Sequence, residues 1–216
     1  MAKGYRTKEH TSPLIMPAEY DALLYEPQEQ GLWLLSELTL SKNLAEYPHP
    51  SSWAAALCGV ELISNLITPA SEYSQVYDLL LSYLDYLAKL SHNGILIFWR
   101  FFIRICALGG IGHPLENCCI CHKPLGAPVS YCHSESGFIC ANCLLGWQNA
   151  SDLVPLSPQA KLILGMLPEI GNYLNSITIT KSVSNEVNQI LRQYWGAHTK
   201  QTLNLKSLSV LIQFYS

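Results

Sequence analysis

No glycine-rich phosphate loop, no H-E-x-x-H pair and no serine in a G-x-S-x-G elbow occurs in the 216 residues. The usual motif routes to nucleotide hydrolysis, zinc proteolysis and serine acyl transfer are therefore missing. There is no internal repeat and no low-complexity tract. Charge is scarce: Asp, Glu, Lys and Arg make up 13% of the chain, and the formal net charge is -3. Such a balance excludes a whole-chain positive field that gathers nucleic acid, so any such role must come from local patches. An uninterrupted apolar run of membrane length is also lacking. The densest run, Ile95 to Ile111, carries Arg100 and Arg104 one helical turn apart, and a central arginine costs about 2.5–3.5 kcal/mol on insertion scales. The run reads as a buried core helix with both arginines emerging on one edge. No segment resembles a signal peptide, which sets the expectation of a reducing compartment.

What is present is cysteine in a pattern. Four of the eight cysteines form two C-x-x-C pairs, Cys118 with Cys121 and Cys140 with Cys143, separated by eighteen residues. Two cysteines three positions apart can aim both sulfurs inward from one tight turn, and Zn²⁺ accepts four thiolates at about 2.3 Å in a tetrahedron. The spacing points to one structural zinc ion. Redox dithiols share the spacing, and an iron–sulfur cluster is the other alternative, although the compact cysteine runs of ferredoxins are missing. A closed four-cysteine site leaves no open position for water or substrate, which argues against zinc catalysis and for a role in folding. Between the pairs the large apolar residues are chiefly Tyr131 and Phe138, too few to order the loop, whereas a metal supplies on the order of 10 kcal/mol to such a segment. Lys123, His122 and His133 lie close enough in sequence to offset the thiolate charge. Cys119 is expected to point away from the turn, Cys132 is the nearest substitute ligand, and Cys58 and Cys106 fall in apolar stretches as small buried hydrophobes.

With nearly half its residues hydrophobic (49%), the chain can bury a substantial core. Short apolar runs from Leu14 to Leu40, broken by Pro17, Pro27 and Gly31, predict strands and turns, and Pro-His-Pro at 48 to 50 predicts a linker. Helices follow. One is expected after a Ser51 or Ser52 cap, through Trp53, Leu57, Val60 and Ile63, stopping before Pro69. A second starts after Ser71 and carries Val76, Leu80, Tyr83, Leu84 and Leu87. The Ile95 helix ends in the glycines at 109, 110 and 112, and the three helices are expected to pack as a bundle. Ser157-Pro158 reads as a cap followed by proline at the first helical position. Further helices are expected after Ser184 and from Leu205 to Phe214. Asp78 and Asp85, two turns apart, read as a solvated face, and His113 as a loop residue.

The order of these motifs is itself informative. Arg100-Phe101, Leu108-Gly109, Cys118-x-x-Cys121, Gly137-Phe138-Ile139-Cys140-x-x-Cys143 and Leu156-Ser157-Pro158, followed by Leu191, Tyr194, His198 and Leu205-Lys206-Ser207, resemble the RecO family of recombination mediators. Upstream, Ala2-Lys3-Gly4-Tyr5-Arg6 is similar to the lysine-glycine-basic segment of that family's amino-terminal OB-fold. The resemblance covers nearly the whole chain. It implies an α+β protein: an incomplete amino-terminal OB-fold barrel (1–47), a helical bundle in two parts (51–113 and 151–216), and an inserted Cys₄ zinc loop (114–150).

The function implied is DNA repair and recombination without bond-making chemistry. RecO-like proteins bind single- and double-stranded DNA, anneal complementary strands and, with RecR, assist recombinase loading onto DNA covered by single-stranded-DNA-binding protein. A cytoplasmic, nucleoid-associated bacterial setting follows, with no membrane partner. Annealing requires phosphate neutralisation that leaves bases free. Lys3, Arg6 and Lys8 are the foremost DNA candidates, Arg100, Arg104, Lys123 and Arg192 stand in second rank, and Tyr5, Tyr20 and Tyr25 are stacking candidates. The chain departs from the family pattern in two ways. About two strands normally precede the Ala-Lys-Gly segment, which sets the expectation of a start lying upstream, and the basic residues after Lys206 are lost. Two alternatives stay open: a zinc-containing protein-interaction module without annealing activity, and a redox-responsive zinc regulator using the surplus Cys119 and Cys132.

Overall fold

The computed structural model describes residues 17–27, 31–44, 46–66, 72–112 and 115–215. The chain divides into two compact units, Met1–Glu46 and Tyr47–Ser216. Lys3, Tyr5, Arg6, Lys8 and His113 lie outside the described residues.

In the first unit, β1 (Ala18–Tyr25) pairs antiparallel with β2 (Leu34–Asn43). The pairing shifts between Glu19 and Tyr20 and again between Leu23 and Leu24, the kind of irregularity that bends and twists a ribbon. Leu23, Leu24, Tyr25 and Leu34 are exposed on it. Among the described residues this unit is a two-stranded sheet, without the further strands that close a barrel.

The second unit is built around three helices: α1 (Pro50–Ser64), α2 (Tyr73–Leu87) and α3 (Gly94–Leu108). Helix α1 begins earlier than the serine signal suggests. His49 is its cap, with Nδ1 accepting from Ser51 N at 3.2 Å, and Pro50 takes the first turn, where its missing N–H costs nothing. The two serines serve packing instead: Ser52 is buried and its hydroxyl donates to Leu90 O at 2.6 Å. Helix α3 is the centre of the core, with Ile95, Leu96, Phe98, Trp99, Phe102 and Ile105 almost wholly buried. It packs on α1 and α2. Its arginines sit at the rim, Arg100 half-buried and Arg104 exposed, as the apolar run with two charges required. Gly59 on α1 admits the Tyr83 ring; a Cβ there would lie 2.3 Å from Tyr83 Cε1.

Beyond the metal-binding candidate region, α5 (Pro158–Met166) starts at Ser157, whose Oγ accepts from Ala160 N at 3.2 Å. Glu186 accepts from Ser157 N at 2.7 Å and from its hydroxyl, tying α5 to α6 (Lys181–Thr199). Helix α6 also begins before the expected Ser184, because Thr180 caps it. Ser184 is buried inside the helix and accepts from Asn188 Nδ2 at 3.4 Å. Asn188 in turn accepts from the Trp99 indole at 2.7 Å, so the one polar atom of that fully buried side chain is satisfied. The last helix, α7 (Lys206–Leu211), packs on α1, and Glu61 accepts from its Ser207 backbone and hydroxyl.

Candidate metal centre

The insert between α3 and α5 is a turn, a hairpin and a short helix. Strands β3 (Ser130–Cys132) and β4 (Gly137–Ile139) form the hairpin, α4 (Ala141–Leu144) follows it, and β5 (Leu153–Pro155) returns to pair with the other side of β3. The first cysteine pair sits in a tight turn: Asn117 bridges Pro124, Cys118 N donates to Lys123 O, and His122 N donates to Cys118 O, both at 2.9 Å. His122 adopts left-handed backbone (φ 59°) to close that turn, a conformation for which histidine is among the more tolerant non-glycine residues. The second pair flanks the start of α4, with Cys140 as its cap position and Cys143 one turn on.

These two elements bring Cys118, Cys121, Cys140 and Cys143 together, their sulfurs all within 4.8 Å of one another. A tetrahedral ion with bonds of about 2.3 Å requires sulfur separations of about 3.8 Å, and Cys121 and Cys140 stand 3.9 Å apart. The donor set and spacing thus fit a four-coordinate soft or borderline ion, and the four thiols could hold one. Cys118 is fully buried, while the other three are half-exposed. Burial raises the Cys118 thiol, but N–H groups of Cys121, Cys140 and Ile120 and the Cys121 thiol outweigh it and bring it down to about 6. The Cys143 thiol moves the other way, up to about 12, first through donation to Cys140 and then through burial and the remaining cysteines. Without an ion, the Cys118 thiolate is therefore favoured while Cys143 holds its proton, which a metal must displace.

The surplus thiols face elsewhere. Cys119 N donates to Phe138 O at 2.8 Å, and its Cβ packs on Gly137 so closely that a side chain there would fall 2.7 Å away. Cys132 donates to Asp152 Oδ2 at 3.2 Å. Asp152 also accepts from Ser134 N at 2.9 Å and from its hydroxyl; these donors, led by the Ser134 hydroxyl, hold its carboxyl below the usual range. Cys132, the expected substitute ligand, is thus engaged with a carboxylate outside the four-sulfur group. Tyr131 and Phe138 are buried edge to face, 5.8 Å apart. Cys58 and Cys106 are buried in α1 and α3, and burial pushes the Cys58 thiol up to about 12.

The insert is seated on the helices at two places, one of which, at Gly165, the sequence does not signal. Gly165 of α5 approaches the Gly126 backbone, where an added Cβ would meet Gly126 O at 2.5 Å. His198 of α6 lies 3.1 Å from Ser136 O at the hairpin turn, against the Tyr194 ring.

The basic candidates are dispersed. Arg100 and Arg104 share one groove between α2 and α3 with Leu79, Ser82 and Tyr86, and Asp78 and Glu116 line its continuation. Lys123 is exposed on the cysteine turn, and Arg192 lies on α6 beside Asn185 and Gln189. Tyr25 is exposed on β1 and Tyr20 half-buried. No helix among the described residues is long and apolar enough to cross a membrane.

The second unit is a helical scaffold carrying a turn–hairpin–helix insert, in which four converging thiols could hold a metal ion. The model of a family described as Recombination protein O C terminal matches residues 49–208, and the chain belongs to that family. Membership ties it to recombination and DNA repair. No match to a curated protein was found.

Proposed function

We propose that this chain is a recombination mediator that binds single- and double-stranded DNA, anneals complementary strands and, together with RecR, assists recombinase loading onto DNA covered by single-stranded-DNA-binding protein. The observation that carries this is the family match across residues 49–208, with all four clustered cysteines inside it. In this account one Zn²⁺ is held by Cys118, Cys121, Cys140 and Cys143 and orders the insert, and no bond-making step is assigned to the protein. Residues 1–47 act as part of an OB-fold, with β1 and β2 as one of its hairpins. The setting is the bacterial cytoplasm, at the nucleoid.

Annealing needs phosphate contacts on two strands with the bases left free to pair. Arg100 and Arg104 contribute two positive charges to one groove, but Asp78 and Glu116 beside them offset that charge. The main phosphate contacts are therefore assigned to Lys3, Arg6 and Lys8, with Arg100, Arg104, Lys123 and Arg192 as auxiliaries. One observation favours a second account, a protein-interaction module without annealing activity: Tyr86 is exposed on α2 and lines a groove with Leu79, Tyr83, Ile97 and Phe101. Strand-annealing kinetics with two labelled complementary oligonucleotides separate the two. Acceleration at low salt supports the mediator, and its absence with an intact amino terminus supports the interaction module.

A further inference from the structure

The core of the insert is made largely of sulfur. Cys118, Cys119, Cys132 and Ile139 form its buried centre, with Ile120, Leu125, Leu144, Trp147 and Leu153 packed around them. Burial divides the six thiols sharply. Cys118, Cys119 and Cys132 are between 0% and 5% exposed, whereas Cys121, Cys140 and Cys143 are only partly buried. Of these, Cys121 and Cys140 come from opposite halves of the site and their sulfurs stand 3.9 Å apart. An oxidant arriving from solvent meets these sulfurs before the buried ones. Burial in apolar surroundings keeps structural cysteines inert, while accessible thiolates react.

We propose that Cys121 and Cys140 form an oxidation site for peroxides, in which a disulfide between them replaces the metal; this rests on the zinc account above. The sulfur of one thiolate attacks a peroxide oxygen, the O–O bond breaks, and a sulfenic acid and hydroxide result. The second thiolate attacks the sulfenic sulfur, forming the S–S bond and expelling the second oxygen as hydroxide. Two protons convert both hydroxides to water, two electrons pass from the sulfur pair to the peroxide, and the ion leaves unreduced because two remaining thiolates cannot close a tetrahedron. The insert then keeps a covalent link between its two halves in place of the ion. A dithiol reductant and Zn²⁺ restore the original site.

The test begins with zinc content of the reduced, purified full chain. One equivalent is expected; no zinc would overturn the metal account and this inference with it. Excess hydrogen peroxide is then added with a chromogenic chelator present, and the products are alkylated in acid and mapped by peptide mass spectrometry. Expected are release of the full equivalent and a Cys121–Cys140 disulfide. A variant carrying both Cys119→Ser and Cys132→Ser is expected to hold zinc and release it within twofold of the parent rate. Zinc present but retained under peroxide would overturn the inference while leaving the metal account intact. A disulfide between Cys119 and Cys132, or within either C-x-x-C pair, would overturn it as well.

Discussion

Replacing Gly165 by alanine tests how the insert carrying the four-cysteine cluster is seated on the helical domain. In a helix, glycine to alanine is ordinarily favourable by about 1 kcal/mol, because alanine loses less backbone entropy on folding. At Gly165 the new Cβ would stand 2.5 Å from Gly126 O and 3.3 Å from Ala127 Cα. Both are backbone atoms, so no side chain can swing aside, and the insert must move away from α5. Overpacking of this kind costs about 1–3 kcal/mol. The sum is a loss of up to about 2 kcal/mol where an unobstructed helix site would gain about 1. The reverse face supplies the control: nothing lies within 4 Å of a Cβ on Gly126, so Gly126→Ala is expected to be neutral or to stabilise by about 0.4–1 kcal/mol through the unfolded chain. Urea denaturation of the metal-loaded proteins measures both. A gain of about 1 kcal/mol for Gly165→Ala would refute the close approach.

Three further outcomes follow from the same geometry. Replacing Lys3, Arg6 and Lys8 together with alanine should flatten the log-affinity against log-salt slope for single-stranded DNA by roughly 2, at about 0.7 per lost phosphate contact; an unchanged slope removes them from the DNA surface. Ser157→Ala removes the α5 cap and one donor to Glu186, and should lower stability by about 1 kcal/mol in chemical denaturation. Zinc content should hold at neutral pH and fall on acidification, because protons compete with the ion for the thiolates. Release above pH 7, followed by dialysis and metal analysis, would contradict this.

Local signals in the sequence proved readable where the physics is local. Ser157-Pro158 marks a helix start because a hydroxyl three residues before an N–H and a proline at the first position act within one turn. The C-x-x-C pairs likewise mark two sulfur-bearing turns, whose convergence follows from the chemistry that uses them. Two helix starts were misplaced because other residues cap them, His49 for α1 and Thr180 for α6. Ser52 resembles a cap but answers Leu90 O, 38 residues away, and Ser184 resembles a cap but lies inside α6 against Asn188. Strand β5 has only three residues and no alternation to reveal it. Gly165 carries no local mark at all, and His198 enters only through the family resemblance, since their contacts arise only when the insert meets α5 and α6. The amino-terminal barrel implied by the family resemblance is not shown: among the described residues that unit is a two-stranded sheet.

Zinc K-edge X-ray absorption of the reduced full chain tests the central claim most directly. The account predicts one zinc per chain with four sulfur neighbours at about 2.3 Å and no nitrogen or oxygen in the first shell. A shell containing nitrogen or oxygen, or protein that folds fully with no bound metal, would contradict it.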